Sequence, residues 1–236
     1  MGAAKNKEIE ERTKEAEKEL KAIRMDTLKI NSNHRVFICG MTGTGKTELA
    51  KQIFENCERG IIYDIEWAEN LEGLGEVIHS AQEIDFSKHQ KFVLQPLTDD
   101  VEEFDAFCEL LFYEHSNMML YVDEVSDLAS RHFISKHFSL IIRRGRKAGI
   151  GTLMATQRTA DVNKVCISQA EHVMAFYVHD PAQIAYLGEC TGSPKRFVTG
   201  MDELKKEEYS FLYYDKREVH IMSPITITPI MINKKK

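Results

Sequence analysis

Segment 40–47 has the pattern of a loop that binds phosphate, since it reads G-x-x-x-x-G-K-T. Glycines let the backbone wrap closely around a phosphate, because a side chain would block the approach. The exposed N–H groups and the positive end of the following helix then face the anion. In this pattern the amine of Lys46 reaches the β- and γ-phosphates, and the hydroxyl of Thr47 ligates Mg²⁺. The predicted nucleotide-binding residues are Thr42, Gly43, Thr44, Gly45, Lys46, Thr47 and Glu48.

The segments on either side of this loop match what the chemistry requires. Residues 36–39 are apolar without alternation, which is typical of a parallel strand covered on both faces. After the loop, residues 49–57 have helical periodicity, and Gly60 is placed to end that helix. A glycine-rich turn that merely joins a strand to a helix is the alternative. The position of the motif between the two elements favours phosphate binding.

Two carboxylates, Asp123 and Glu124, follow the apolar segment 118–122. A carboxylate at such a strand end can hold Mg²⁺, often through water, opposite Thr47. A second carboxylate beside it can act as the general base that polarises the water attacking the γ-phosphate. The alternative is that two acidic residues merely mark the end of a strand. Beside a phosphate loop that alternative is weak, because the metal needs an acidic ligand from a neighbouring strand.

Gln157 is a polar residue at the end of another apolar segment, 151–156. Its amide could contact the γ-phosphate or the attacking water. The alternative is a residue that only caps the start of a loop. The residue alone does not decide between the two interpretations.

The basic segment 143–147, which reads R-R-G-R-K, has three interpretations. It could be a solvated helix end, where cations are favoured by the helix dipole. One of its arginines could reach the nucleotide of a neighbouring subunit. The segment could also contact DNA phosphates. The sequence leaves these three open.

Strands alternate with helices along most of the chain, which predicts an α/β fold with a mainly parallel central sheet flanked by helices. Further strands are expected at 61–65, 91–95 and 172–178, and a hairpin at 209–222. Helices are expected after Thr98-Asp99-Asp100, each of which could be the N-cap, around residues 133–142, and from Asp180-Pro181 to Gly188. We divide the chain into a charged N-terminal helical arm (1–33), an ATPase domain (34–222) and a C-terminal tail (223–236).

Composition limits the class of protein further. The net charge is −6, which argues against a protein that coats nucleic acid but not against a local basic loop. The five cysteines are scattered without a C-x-x-C pair, so neither a zinc site nor a disulfide framework is predicted. No segment is apolar over the ~18 residues needed to span a bilayer. We therefore expect a cytoplasmic protein.

Segments 40–47, 120–124 and above all 144–158 resemble the FtsK–HerA superfamily of DNA-pumping ATPases. The last segment is similar to that family's GR-x-x-GI-x-x-x-x-ATQR pattern. The resemblance covers roughly 34–222. It implies a RecA-like (ASCE) fold with an extra strand between the two nucleotide motifs, which we match to 92–95. It also implies a homo-oligomeric ring, a hexamer, with ATP at subunit interfaces and double-stranded DNA threaded through the centre.

The resemblance implies a role for each matching residue. Lys46 and Thr47 would bind phosphate and Mg²⁺, and Asp123 would also bind Mg²⁺. Glu124 would be the general base, and Gln157 would sense the γ-phosphate. The arginine acting in trans would be Arg146 or Arg144. The implied cofactors are ATP and Mg²⁺. We expect neither a membrane region nor an obvious winged-helix module, so within the family the chain most resembles viral genome-packaging ATPases, or small archaeal and plasmid relatives.

The function predicted from the sequence is an ATP-hydrolysing motor that moves double-stranded DNA and packages a viral genome. Loops 126–136 and 159–164 are expected to contact DNA, through Arg131, Lys136 and Lys164. A capsid or membrane protein would dock the motor. The alternative is a P-loop ATPase that drives protein assembly, secretion or extrusion. A GTPase switch or small-molecule kinase is a third class, but segment 163–166 begins like the guanine-reading N-K-x-D and lacks the Asp.

Overall fold

The computed structural model describes residues 28, 30–204 and 209–222. Most of the predicted arm and all of the predicted tail lie outside these residues. The strands are β1 (Arg35–Cys39), β2 (Gly60–Tyr63), β3 (Glu76–Ile78), β4 (Lys91–Leu94), β5 (Met118–Val122), β6 (Ile150–Thr156), β7 (His172–Phe176), β8 (Phe211–Tyr214) and β9 (Val219–Met222).

These strands form one sheet in the order β3-β4-β2-β5-β6-β1-β7-β8-β9. Neighbours from β3 to β7 pair in parallel, whereas β7–β8 and β8–β9 pair antiparallel. Every residue of β5 and β6 is buried, as expected for strands covered on both faces. The predicted α/β class with a mainly parallel sheet is therefore confirmed.

Helices cover both faces of the sheet. They are α1 (Lys46–Glu55), α2 (Val101–Glu114), α3 (Val125–Leu128), α4 (Lys136–Arg144), α5 (Lys164–Ser168), α6 (Pro181–Thr191) and α7 (Pro194–Leu204). The predicted N-caps are confirmed, because Asp100 accepts from the backbone N–H of Glu102 and Asp180 from that of Ala182. Alternate residues of β1 point into two separate apolar clusters, one on each face of the sheet.

Two glycines predicted to end helices serve packing instead. Gly60 begins β2, and a Cβ there would lie 2.5 Å from the ring of Phe54. Gly188 lies inside α6, where a Cβ would lie 2.5 Å from the Cα of Pro194. Helix α6 ends later, with Gly192 as its C-cap at φ 74°. Both predictions are wrong because close contacts between elements require a glycine there.

Two further expectations shift in detail. The segment matched to the extra strand, 92–95, forms most of β4, which lies beyond β2 in the sheet. The strand that lies between β1 and β5 in the sheet is β6. β4 lies between the two nucleotide motifs only along the chain. The predicted helix at 133–142 begins at Lys136, so Phe133 and Ile134 precede it. The predicted hairpin is confirmed as β8 and β9.

Candidate active site

The predicted site residues converge at the carboxyl edge of three neighbouring strands. β1 leads into the phosphate loop, β6 ends before Gln157, and β5 ends before Asp123 and Glu124. Because the three strands are parallel and adjacent, their carboxyl ends meet at one edge of the sheet. The order β5-β6-β1 places Gln157 between the carboxylates and the loop.

The phosphate loop is preformed by backbone contacts. Gly43 and Gly45 have φ of 78° and 100°, a left-handed conformation that glycine adopts without steric cost. Thr44 Oγ1 donates to the carbonyl of Met41 at 2.7 Å, and Lys46 Nζ donates to the same oxygen at 3.0 Å. Burial lowers the pKa of Lys46, although the charge of Glu124 opposes this shift. The buried amine of Lys46 donates to one carbonyl, so a bound phosphate would stabilise its charge.

Asp123 lies in a strongly acidic environment. The hydroxyl of Tyr121 donates to its Oδ1 at 2.9 Å. Burial raises the pKa of Asp123, and the charges of Asp64 and Glu124 raise it further, while the Tyr121 hydroxyl and Lys46 act in the opposite direction. A buried carboxylate repelled by two others gains most from a bound cation.

Glu124 is held in one orientation by three donors. Its Oε1 accepts from Ser126 Oγ and Thr156 Oγ1, both at 2.6 Å, and its Oε2 accepts from the backbone N–H of Gln157 at 3.1 Å. The backbone of Glu124 is left-handed, with φ 50° and ψ 59°. A non-glycine residue in that conformation costs about 1–3 kcal/mol, and such strain is typical of functional sites. The carboxylate is therefore positioned by its surroundings.

Gln157 is in direct contact with the phosphate loop. The hydroxyl of Thr42 donates to its Oε1 at 2.6 Å. This bond turns the amide nitrogen of Gln157 toward other acceptors. The backbone of Gln157 binds Glu124, so this residue links the loop to the carboxylate.

A cavity of about 150 Å³ joins these groups. It is lined by Lys46, Thr47, Glu66, Ala68, Asn70, Asp123, Glu124, Thr156 and Gln157. Glu66 was not predicted, because it lies three residues beyond the end of β2, whereas Asp123 and Glu124 come directly after β5. Asp64 Oδ2 accepts from the backbone N–H of Ala68 at 2.9 Å and from Gln95 Nε2 at 3.2 Å. These bonds fold the segment after β2 over the site and bring Glu66 into it.

The residues present fit a magnesium ion. Thr47 and Asp123 line the same cavity, and Tyr121 engages only Oδ1 of Asp123, which leaves Oδ2 for a cation. Within the described part of the chain, no three His, Cys, Asp or Glu residues cluster in a way that could hold a metal on their own. Mg²⁺ characteristically takes one or two protein ligands and fills the remaining positions with water and phosphate oxygens.

The two candidate trans arginines lie at the opposite edge of the sheet. Arg144 ends α4, and Arg146 lies in the turn before β6, whereas Gln157 follows the last residue of β6. Seven strand residues at ~3.3 Å each separate the two edges by ~20 Å. Arg146 forms an ion pair with Glu171, which also binds Arg35. Neither candidate therefore lies beside the nucleotide site of its own subunit.

The fold and the site together define a P-loop NTPase with a RecA-like sheet. No established profile of a protein family matches the chain. Protein P9 of Pseudoalteromonas phage PM2 is 25% identical to it over 197 residues, which cover 81% of this chain and 89% of that protein.

Solved structures share the fold over most of the chain. The genome packaging NTPase B204 of Sulfolobus turreted icosahedral virus 2, in complex with ATP-gammaS, has a TM-score of 0.69 and 20% identity, covering 83% of this chain and 100% of that one. VirB4 of Thermoanaerobacter pseudethanolicus has a TM-score of 0.59 and 11% identity, covering 83% and 90%. The RecA-like fold is therefore confirmed, and so is the resemblance to viral genome-packaging NTPases at the level of the fold.

Across the described residues, no helix is both long enough and apolar enough to cross a membrane.

Proposed function

We propose that the protein is a Mg²⁺-dependent ATPase that translocates double-stranded DNA as a hexameric ring and packages a viral genome into a capsid. One observation carries this proposal: the two strands that end at Glu124 and Gln157 continue into two loops that contact each other. Glu124 leads directly into α3 and the loop 129–135, and Gln157 leads into the loop 158–163. We call these two segments the paired loops.

The site supplies each step of ATP hydrolysis from a separate group. The loop N–H groups and Lys46 would bind the β- and γ-phosphates. Mg²⁺ held by Thr47 and Asp123 would neutralise charge that develops on the phosphate oxygens. Glu124 Oε2 would accept a proton from the attacking water, and the amide of Gln157 would bind the γ-phosphate. Loss of the γ-phosphate would then change the surroundings of Gln157 and Glu124 together.

The paired loops are tied to each other. Ser130 and Val162 form an antiparallel bridge, and the side chain of Asn163 donates to the carbonyl of Ser130 at 3.3 Å. Arg158 forms an ion pair with Asp127 at the base of the two loops. A displacement at either Glu124 or Gln157 would therefore move one surface, which is what a motor needs to convert hydrolysis into movement.

The cations predicted to contact DNA lie on or beside the paired loops and are exposed. The guanidinium of Arg131 lies 4.7 Å from the ring centroid of Tyr186, and Lys164 pairs with Glu189 at 3.3 Å. Lys136 begins α4 at the end of the first loop. In the proposed motor these three cations would contact DNA phosphates, with Lys164 exchanging Glu189 for a phosphate.

The alternative is an ATPase that acts on a protein assembly. The fold does not separate this alternative from the DNA motor, because one fold can serve different cargoes. The cargo has to be identified by measurement.

The test is the rate of ATP hydrolysis with and without duplex DNA. We expect DNA to raise the rate, and expect added salt to weaken binding with a slope of about −0.9 per phosphate neutralised. The triple variant Arg131→Ala, Lys136→Ala, Lys164→Ala should bind DNA more weakly and with a smaller slope. Lys88→Ala, which removes an exposed lysine from the segment before β4, is the matched control. Hydrolysis with neither binding nor response to DNA would contradict the motor.

A further inference from the structure

A second cavity, of about 360 Å³, lies on the other side of the phosphate loop. Its lining residues are Gly45, Glu48, Leu49, Gln52, Phe176, Tyr209 and Phe211. The volume falls within the ~300–1,000 Å³ of small-molecule sites. Gly45 and Glu48 are predicted nucleotide ligands, whereas no sequence pattern predicts a role for the three aromatic residues.

The two cavities meet at the start of α1. Gly45 lines the aromatic cavity, and the next residue, Lys46, lines the acidic one. In the sheet, β6 and β5 lie on one side of β1, and β7 and β8 lie on the other. A ligand whose terminal phosphate faces Asp123 and Gln157 can therefore extend across the loop toward Phe176 and Phe211.

The aromatic cavity has a buried floor and an exposed wall. Phe176 and Phe211 are 3% and 1% exposed, and their ring centroids lie 5.0 Å apart. Tyr209 is 52% exposed and has a left-handed backbone with φ 59°. A Cβ at Gly45 would lie 3.3 Å from the ring of Phe176 and 3.4 Å from that of Tyr209. The rings of Phe176 and Tyr209 therefore lie directly beside the last glycine of the phosphate loop.

We propose that this aromatic cavity holds the base of the nucleotide, with the base stacked on the ring of Tyr209 above a floor of Phe176 and Phe211. The inference rests on the proposed function, because it assumes that a nucleoside triphosphate occupies the loop. Three of the seven lining residues are aromatic, so the cavity offers a large surface on which a base can stack. The larger ring of a purine covers more of Tyr209 than a pyrimidine does, so the site selects purine triphosphates.

The test compares ligands with and without a base. We would measure the Kd of the full chain for ATP, CTP and inorganic tripolyphosphate, each with Mg²⁺, by calorimetry. Base–aromatic stacking predicts that Tyr209→Ala weakens ATP binding by roughly 10- to 100-fold. Tripolyphosphate, which reaches only the loop, should bind wild type and variant alike. Tyr209→Phe keeps the ring and should bind ATP like the wild type.

Tyr113→Ala is the matched control, since Tyr113 is 67% exposed on α2, away from both cavities. Unchanged ATP affinity in Tyr209→Ala would overturn the proposal, as would an equal loss for ATP and tripolyphosphate. Equal affinity of the wild type for ATP and CTP would overturn the purine selection. A protein that binds ATP through Tyr209 but never responds to DNA would leave this inference intact and remove the motor.

Discussion

Replacing Glu124 with Gln is expected to lower kcat for ATP hydrolysis by about 10²–10⁴-fold while nucleotide binding persists. The amide oxygen can take the position of Oε1, which accepts from the hydroxyls of Ser126 and Thr156 and, at 3.3 Å, from the backbone N–H of Gln157, so the side chain should stay in place. It cannot take a proton from water, because an amide is not a base at neutral pH. Initial rates at saturating ATP, with binding measured separately, would check this.

A second carboxylate in the same cavity provides the comparison. Glu66 lines the cavity, and burial raises its pKa, with the charges of Asp123 and Glu124 acting in the same direction. None of the three donors of Glu124 contacts Glu66, so Glu66→Gln should lower kcat less than tenfold. A severe loss in Glu66→Gln, with Glu124→Gln nearly active, would transfer the role of base to Glu66.

Replacing Arg144 with Ala is expected to lower kcat by up to 10³–10⁵-fold, the range known for arginines that act on a neighbouring nucleotide. Arg144 is exposed, and in the described part of the chain no ion pair neutralises it. Arg146 is already paired with Glu171. We therefore expect a smaller loss in Arg146→Ala, and little change in Arg143→Ala, the neighbouring control.

Mixed assemblies test whether the arginine acts in trans. Arg144→Ala subunits have an intact phosphate loop, and Lys46→Ala subunits have an intact arginine, so a mixed ring contains complete interfaces. Activity should return on mixing two preparations that are each inactive. Full activity of pure Arg144→Ala protein would remove it from the site, and a severe loss in Arg146→Ala would assign the role to Arg146.

The parts of the site that the sequence predicts are those whose chemistry is local. The phosphate loop needs only eight consecutive residues. Asp123, Glu124 and Gln157 were found because each follows an apolar strand, and parallel strands bring such ends together. Their positions at one edge of the sheet agree with that reasoning.

The missed residues depend on distant parts of the chain. Thr156 orients Glu124 only because β6 lies beside β5, and no local pattern marks a threonine for that task. Tyr209 approaches Gly45 because β8 pairs with β7 at the far side of the sheet. The errors at Gly60 and Gly188 have the same origin, since long-range packing decided the use of both glycines.

The most direct test of the central claim is ATP-driven displacement of a third strand annealed to duplex DNA. A protein that moves along the duplex strips this strand, and its release can be followed by fluorescence. We predict release that requires ATP and Mg²⁺ and that stops in Glu124→Gln, which still binds ATP. Vigorous ATP hydrolysis by the wild type with no strand release, on duplexes of any length, would contradict the assignment of a DNA motor.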